Sequence, residues 1–420
     1  MMQKIKQIIK QIICSLSPCF KCSQNESVEA SIIEITPLEV KAHQAEFRRL
    51  NLVVPSINKK DIFGGISTAI AMFEKMLEIL PSDFHARIIL TETSVDSPVR
   101  NFSDYTISSL GQDNHSRLQV VACNDRYAKE LPIVKHDVFL TTAWWTTHIT
   151  QNIIKKQKAF FGSCYPLIYL IQDFEPCFYN WSARYALAEA TYKGDVDTIA
   201  IINSKELSDY MLNKGYQFHN KYYFLPKMNN MLKKNWKLRN PKSKKKQLIV
   251  YGRPSTDRNL FPIILSALKI WVFKQADISE WTLLSLGEEH KDIDLGNGAV
   301  LVSKGKLSLD GYSTILEESS LGLSLMLSPH PSYPPLEMAY FGALTITNKY
   351  ENKDLSGMHE NLISVDSCNP SSIATKLLAA STKVSGNINI GNENKIKDKS
   401  YIDEHDQFHF LKNTAQDLSL

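Results

Sequence analysis

No stretch of this chain approaches the ~18 consecutive apolar residues that a membrane-spanning helix needs. Cysteine is scarce: the seven residues Cys14, Cys19, Cys22, Cys123, Cys164, Cys177 and Cys368 are odd in number and scattered. A disulfide scaffold is short and cysteine-dense, so this pattern reads as reduced thiols in a cytoplasmic protein. Cys19 and Cys22 form a C-x-x-C, but no second pair completes a four-ligand zinc site. Charge of one sign is also lacking. The formal net charge is +4, too small to argue for nucleic acid, which needs a strongly basic face. No G-x-S-x-G nucleophile turn is present. No G-x-G-x-x-G follows the first strand, which weighs against a dinucleotide dehydrogenase. Asp195-Val196-Asp197 and Asp292-Ile293-Asp294 spell D-x-D, but neither ends an apolar strand. They read as surface acid pairs rather than metal ligands. There is no fixed-period repeat or low-complexity tract.

What is present is a chain of 420 residues, long enough for two domains with globular composition. Short apolar runs alternate with stretches of helical length. Arg49 to Val54 is followed by a helix over Ile66–Leu80. Further strands read at Arg87–Leu90, Leu118–Val121, Asp137–Thr141, Leu167–Ile171 and Thr198–Ile202. Pro226 to Lys246 breaks this rhythm with lysine and asparagine and reads as a solvated linker. The rhythm restarts with strands at Gln247–Tyr251, Trp281–Leu286, Ala299–Val302, Leu323–Leu327 and Leu344–Thr347. Helices read at Leu260–Phe273, Leu309–Glu318 and Pro335–Phe341. Apolar strands alternating with helices give parallel sheets covered on both faces. Near the start, Ile5, Ile8, Ile9, Ile12, Ile13 and Leu16 repeat at helical spacing among lysines. This is either a surface-packed helix or leader, or an amphipathic helix on an anionic membrane.

Ligands of doubly wound sheets gather outside the carboxyl ends of the strands. Gly252-Arg253 and Arg258 follow one such strand, where two guanidinium forks beside a helix start suit a pyrophosphate. Both arginines can equally pair with surface carboxylates. Ser328-Pro329-His330-Pro331-Ser332-Tyr333-Pro334-Pro335-Leu336-Glu337 follows another. Its prolines pre-set a helix start, which puts Glu337 in the first helical turn. There it can accept from ribose hydroxyls or simply answer the helix dipole. Gly64 and Gly65, after the first strand, allow close backbone approach to a ligand. Gln172-Asp173-Phe174-Glu175 places two carboxylates at the cleft edge, where Asp173 either contacts substrate or caps a helix. Trp144 and Trp145 offer aromatic faces to sugar rings, or are core.

Together, Gly252-Arg253 with Arg258, Gly305-Lys306-Leu307 and Pro334-Pro335-Leu336-Glu337-Met338-Ala339 resemble the donor site of the glycogen-synthase-like GT-B glycosyltransferases. With Phe63-Gly64-Gly65-Ile66-Ser67-Thr68 and Asn203-Ser204-Lys205-Glu206-Leu207, the chain is most similar to the WsaF-type polysaccharide rhamnosyltransferases. The resemblance implies an α/β GT-B fold of two Rossmann-like domains facing a cleft. The expected division is an appendage over 1–45, an acceptor domain over 46–230 and a basic linker over 231–246. A nucleotide-sugar domain over 247–395 and a C-terminal helix over 396–420, returning to the first domain, complete it.

The activity implied is that of a metal-independent, retaining hexosyltransferase that moves L-rhamnose from dTDP-L-rhamnose onto a growing cell-surface glycan. No cofactor is implied beyond the nucleotide-sugar donor. Arg253, Lys306 and Asp173 are expected at the chemistry. Gly64, Gly65, Arg253, Arg258, Lys306, Tyr333 and Glu337 are expected at the donor, and Trp144, Trp145 and Glu175 at the acceptor. The acceptor is a saccharide, free or lipid-linked, and the expected location is cytoplasmic, with the inner membrane face open to the N-terminal helix. The wider group has a first glutamate eight residues before Glu337. Here that position is Pro329, which removes a sugar contact. Rival readings are another nucleotide sugar, an epimerase of the same fold, or a two-domain sugar-binding protein, which would carry a secretion signal.

Overall fold

The computed structural model describes residues 32–58, 64–95, 102–111, 116–241 and 244–418. The segment Ile5–Leu16, together with Cys14, Cys19, Cys22, Phe63 and Lys242, lies outside the described residues. Met1–Thr36 and Pro37–Leu420 are two compact units. The described part of the first unit is a single 3-10 turn, Ile33–Ile35.

The second unit contains both sheets. In its first half the strands are β1 (Glu39–Ala42), β2 (Arg48–Val54), β3 (His85–Leu90), β4 (Thr106–Ser109) and β5 (Leu118–Ala122). They continue with β6 (Glu130–Ile133), β7 (His136–Thr141), β8 (Leu167–Ile171), β9 (Thr198–Asn203) and β10 (Asn220–Phe224). The helices are α1 (Gly64–Ile79), α2 (Trp144–Phe161), α3 (Ala183–Ala190) and α4 (Lys205–Asn213). Eight strands pair in parallel in the order β10-β9-β8-β7-β2-β3-β5-β4. Side chains on successive residues of a strand point to opposite faces. Accordingly, Leu50, Leu52 and Val54 pack with α1, while Val53 packs with α2.

The second half holds α5 (Asn230–Leu238), β11 (Lys245–Gly252), α6 (Phe261–Lys274), β12 (Thr282–Gly287), β13 (Ile293–Gly296), β14 (Ala299–Gly305) and α7 (Leu309–Glu318). It continues with β15 (Ser319–Leu323), α8 (Tyr333–Tyr340), β16 (Leu344–Asn348), β17 (Leu362–Val365), α9 (Pro370–Gly386), α10 (Ile390–Glu393) and α11 (Leu411–Asp417). Its sheet order is β13-β14-β12-β11-β15-β16-β17, parallel except for β13. Leu248 and Val250 pack with α6 and α9, and Ile249 packs with α8 on the other face. Strand order reverses between β2 and β7 in one sheet and between β11 and β15 in the other. These are the switch points at which open α/β sheets bind ligands.

Four expectations are corrected. The Lys-rich stretch read as a solvated linker contains α5, capped by Asn229 on Met231 N at 2.9 Å, with Leu232 in the core. Lys244 is buried and donates to Leu316 O, Ser319 O and Phe341 O at 2.6–3.1 Å. Burial pushes its ammonium down to about 7. Lysine count misleads here because the stems and even one head are packed. The appendage drawn to residue 45 overshoots, since β1 pairs with β6. The strand expected at Leu323–Leu327 is instead Ser319–Leu323. Its serines and Gly322 hide a fully buried central strand, and a Cβ on Gly322 would meet Met338 Sδ at 2.9 Å. Finally, α8 starts at Tyr333, so Glu337 lies in the second turn.

The segment after α10 runs from the second half to the first. Met228 N donates to Tyr401 O at 2.9 Å, and Phe410, Leu411 and Leu418 join the first-half core. At the amino ends of β2, β3 and β7, away from the switch-point loops, a buried ion network ties strands together. Asp137 accepts from Arg49 at 2.7 and 2.8 Å, from Asn51 at 2.9 Å and from Val134 N at 2.9 Å. Burial opposes its charge, but Arg49 and Arg87 beside it hold the carboxyl below the usual range. Asp137→Ala leaves two buried guanidiniums without their counter-ion. It should cost about 3–5 kcal/mol, read as a lower urea midpoint; an unchanged midpoint contradicts the network.

Candidate functional site

A cavity of about 850 Å³ lies between the two halves, within the range of small-molecule sites. The loops after β2, β7, β8 and β9 line it on one side, and those after β11 and β15 on the other. Both switch points therefore open into one space.

Gly64 and Gly65 are on its wall, for different reasons. Gly64 has φ +42°, a conformation that favours glycine. A Cβ on Gly65 would sit 2.8 Å from Gln172 Nε2. Gln172 Nε2 donates to Gly65 O at 2.7 Å and to Thr142 Oγ1 at 2.6 Å, fixing three loops to one side chain. Gly252 is required by packing rather than by a turn, since its Cβ would meet Ser285 Oγ at 2.0 Å. It seats Arg253 at the end of β11, part-exposed on the cavity. Arg258 leaves the 3-10 turn before α6 and lies 4.2 Å over the Phe178 ring. Its Nε is 3.8 Å from Asp173 Oδ2, beyond hydrogen-bond reach.

Asp173 joins the halves. Its Oδ1 accepts from Phe174 N at 2.8 Å and from Ser328 Oγ across the cleft. Asn203 Nδ2 likewise crosses to Tyr333 OH at 3.4 Å. Glu337 shows part of its surface to the cavity and accepts from Tyr312 OH at 2.7 Å. Burial raises its carboxyl to about 7, against the lowering effect of that hydrogen bond. Glu175 is raised further, to about 8, by burial and by neighbouring Asp173. It accepts from Trp144 N at 2.7 Å, at the start of α2, which partly offsets that rise.

Two expected site residues are elsewhere. Trp144 is wholly buried, its Nε1 donating to Tyr179 OH at 2.9 Å; it is core, and Trp145 alone of the pair reaches the cavity. Lys306 follows Gly305 (φ +58°), is exposed, and is not in the cavity wall. Glu175 lines the cavity but also caps α2, so its structural role is plain. Of the D-x-D pairs, Asp195 binds Lys155 at the surface, and Asp292 and Asp294 accept from Ser303 N and Gly296 N. Gln172, Ser328, His330 and Tyr312 were given no role from sequence. Each is one polar residue whose use depends on which loop faces it.

Arg253 at the end of β11 and Arg258 just before α6 line one cavity with the half-buried Glu337 carboxyl, which can accept hydrogen bonds from hydroxyls; this set suits a diphosphate joined to a hydroxylated group.

A model of the WsaF N-terminal domain matches residues 49–205, and a model of the WsaF C-terminal domain matches residues 246–378. Together they span more than half of the chain. The O-antigen biosynthesis protein RfbC of Myxococcus xanthus is 28% identical over 212 residues, which is 50% of this chain but 15% of that protein. The chain thus spans a small part of that relative. Among solved structures, TarM is similar with a TM-score of 0.55 at 8% identity, over 89% of this chain and 99% of that one. WaaG, described as a glycosyltransferase involved in lipopolysaccharide biosynthesis, has a TM-score of 0.53 at 11% identity, over 88% and 98%. Sucrose-phosphate synthase of Thermosynechococcus elongatus has a TM-score of 0.50 at 11% identity, over 88% and 94%. At such identities these likenesses show the fold, which is GT-B. Among the described residues no helix is long and apolar enough to cross a membrane.

The raised Glu337 carboxyl has a consequence for stability. Its folded value lies above the ordinary one near 4.5. Its contribution is then greatest at low pH and is lost as pH rises through about 7. The ligand-free wild type should lose Tm relative to Glu337→Gln between pH 5 and 8. A Tm difference that stays constant across that window contradicts the buried carboxyl.

Proposed function

Since the chain belongs to the WsaF-type GT-B glycosyltransferases, we propose that it transfers L-rhamnose from dTDP-L-rhamnose to a saccharide acceptor in the assembly of a surface polysaccharide. The observation that carries this reading is that Arg253, Arg258 and Glu337 line one cavity at a switch point. The match to both WsaF domains supports glycosyl transfer, the RfbC likeness supports a polysaccharide product, and the choice of L-rhamnose rests on the sequence resemblance.

In this reading the diphosphate rests on Arg253, Arg258 and the start of α6. The ribose hydroxyls donate to ionised Glu337, and Tyr333 lines the same end. As the bond from the sugar to the diphosphate breaks, negative charge builds on the leaving group. Fixed cations at that point stabilise the transition state, and this is usually the largest catalytic effect. Lys306 joins them only if the donor draws it in from the exposed end of β14. The anomeric carbon passes through an oxocarbenium-like state; the acceptor hydroxyl oxygen bonds to it with retained configuration as the bond to the diphosphate oxygen breaks, and the hydroxyl proton leaves with the departing diphosphate. Asp173 and Trp145 are on the wall where the acceptor would enter, and a closed cleft excludes water that would otherwise hydrolyse the donor. Lipid linkage of the acceptor, and membrane contact through Ile5–Leu16, rest on the sequence pattern alone.

Arg253→Ala should lower transfer from dTDP-L-rhamnose by about 10²-fold or more, the scale of losing one such stabiliser. Near-normal turnover sinks the phosphate role. Donor incubated without acceptor should stay unchanged; an isomerised sugar would instead make the protein an epimerase.

A further inference from the structure

Four buried polar atoms on the cavity wall have no hydrogen-bond partner among the described residues: His330 Nε2, Trp145 Nε1, Arg258 Nε and Asn203 Oδ1. Native structures leave few such atoms, because each one keeps its full desolvation cost. Four around one cavity mark where a polar ligand completes the structure. Three are donors and one, Asn203 Oδ1, is an acceptor. A phosphate is ionised and offers nothing to an amide oxygen. A sugar ring, whose hydroxyls both donate and accept, answers His330 Nε2 and Asn203 Oδ1, while Arg258 stays with the diphosphate and Trp145 with the acceptor wall.

His330 is the best defined of the four. It is 6% exposed and held from three sides. Its backbone N donates to Ser328 Oγ at 3.1 Å, and Ser328 Oγ donates to Asp173. Its ring meets Tyr333 at 5.6 Å, and Tyr333 in turn accepts from Asn203. Its Nδ1 accepts from Ser332 N at 3.0 Å, and Ser332 holds that N–H in place at φ +69°, a strained backbone for serine. A backbone N–H can only donate, so Nδ1 carries no proton. The neutral imidazole must then carry it on Nε2. Burial, aided by Lys353 and Arg258 and opposed by Asp173, brings the ring down to about 4, so this neutral form persists at physiological pH. The loop is braced from behind by Asn348 and Lys353, which donate to Met326 O at 3.1 and 2.8 Å.

We propose that His330 determines sugar specificity: its Nε2–H donates to a ring hydroxyl of the donor sugar while Asn203 Oδ1, beside the same tyrosine, accepts from another. This rests on the transfer reading above and names the residues that read the sugar rather than the nucleotide. A site built to hydrogen-bond a substrate hydroxyl discriminates because its own polar group is otherwise left unpaired.

Two substitutions separate the ring's two nitrogens. His330→Asn can still accept from Ser332 N, through its side-chain oxygen, but has no atom at the Nε2 position. His330→Gln extends an amide donor toward that position. Calorimetric titration of wild type and both variants with dTDP and with dTDP-L-rhamnose reads the outcome, with thermal unfolding as the check of folding. The affinity for dTDP should stay within about twofold in all three. That for dTDP-L-rhamnose should fall by about tenfold in the Asn variant, the scale of one hydrogen bond, and recover in part in the Gln variant. Equal loss of both ligands, or a nucleotide sugar bound by the Asn variant as tightly as by wild type, overturns the assignment. Wild-type protein that binds neither ligand overturns the transfer reading itself, which keeps the two failures apart.

Discussion

Asp173 stands at the end of β8 and accepts a hydrogen bond from Ser328, in the loop after β15, so one buried carboxylate ties the first sheet to the second. Arg258 leans toward the same carboxylate and stacks on Phe178. Tyr333 reaches Asn203, and farther out Lys214 pairs with Glu351 at 3.0 Å and Asn352 donates to Glu206 O at 2.8 Å. These contacts set the width of the cavity. They are polar, as contacts between domains of one chain commonly are, while Phe410, Leu411 and Leu418 of the returning C-terminal segment are buried in the first-half core. Without the Asp173 contact, the loop carrying His330 would lose its reference to the opposite wall.

The polar groups of the molecule fall into two kinds. At the amino ends of the first sheet, Asp137 is surrounded by Arg49, Arg87 and Asn51, and every contact reinforces its charge. At the carboxyl ends, Glu337 and Glu175 are pushed up and His330 is pushed down, each mainly by burial. Neighbours compensate little of that cost, and unpaired atoms remain on His330, Asn203, Trp145 and Arg258. Perturbed titrations gathered in a cleft mark function more than packing does.

The fold was legible wherever burial is uniform. Val53, Ile88 and Ile201 sit in apolar runs because strands covered on both faces need them. Ser319–Leu323 is illegible because close packing against Met338 and Thr345 demands glycine at 322, and Ser319 and Ser320 are buried through hydrogen bonds to Ile315 O and Lys245 O. Helix α5 was masked by its lysines. At the cavity, Arg253, Arg258 and Glu337 could be placed on one wall from sequence because they follow strands at a family-like spacing. Gln172, Ser328 and His330 could not, since their roles arise from a facing loop far away in sequence. Paired tryptophans were equally opaque: neighbours on a helix start point apart, so Trp144 enters the core and Trp145 the cavity.

The central claim is that this cleft receives a nucleoside diphosphate through its second half. Thermal unfolding of the full chain with dTDP, with other nucleoside diphosphates and with free L-rhamnose tests it directly. A ligand that binds only the native state raises Tm with its concentration. The account predicts a concentration-dependent rise with dTDP and none with rhamnose alone. A rise with the free sugar and none with any nucleoside diphosphate would contradict it.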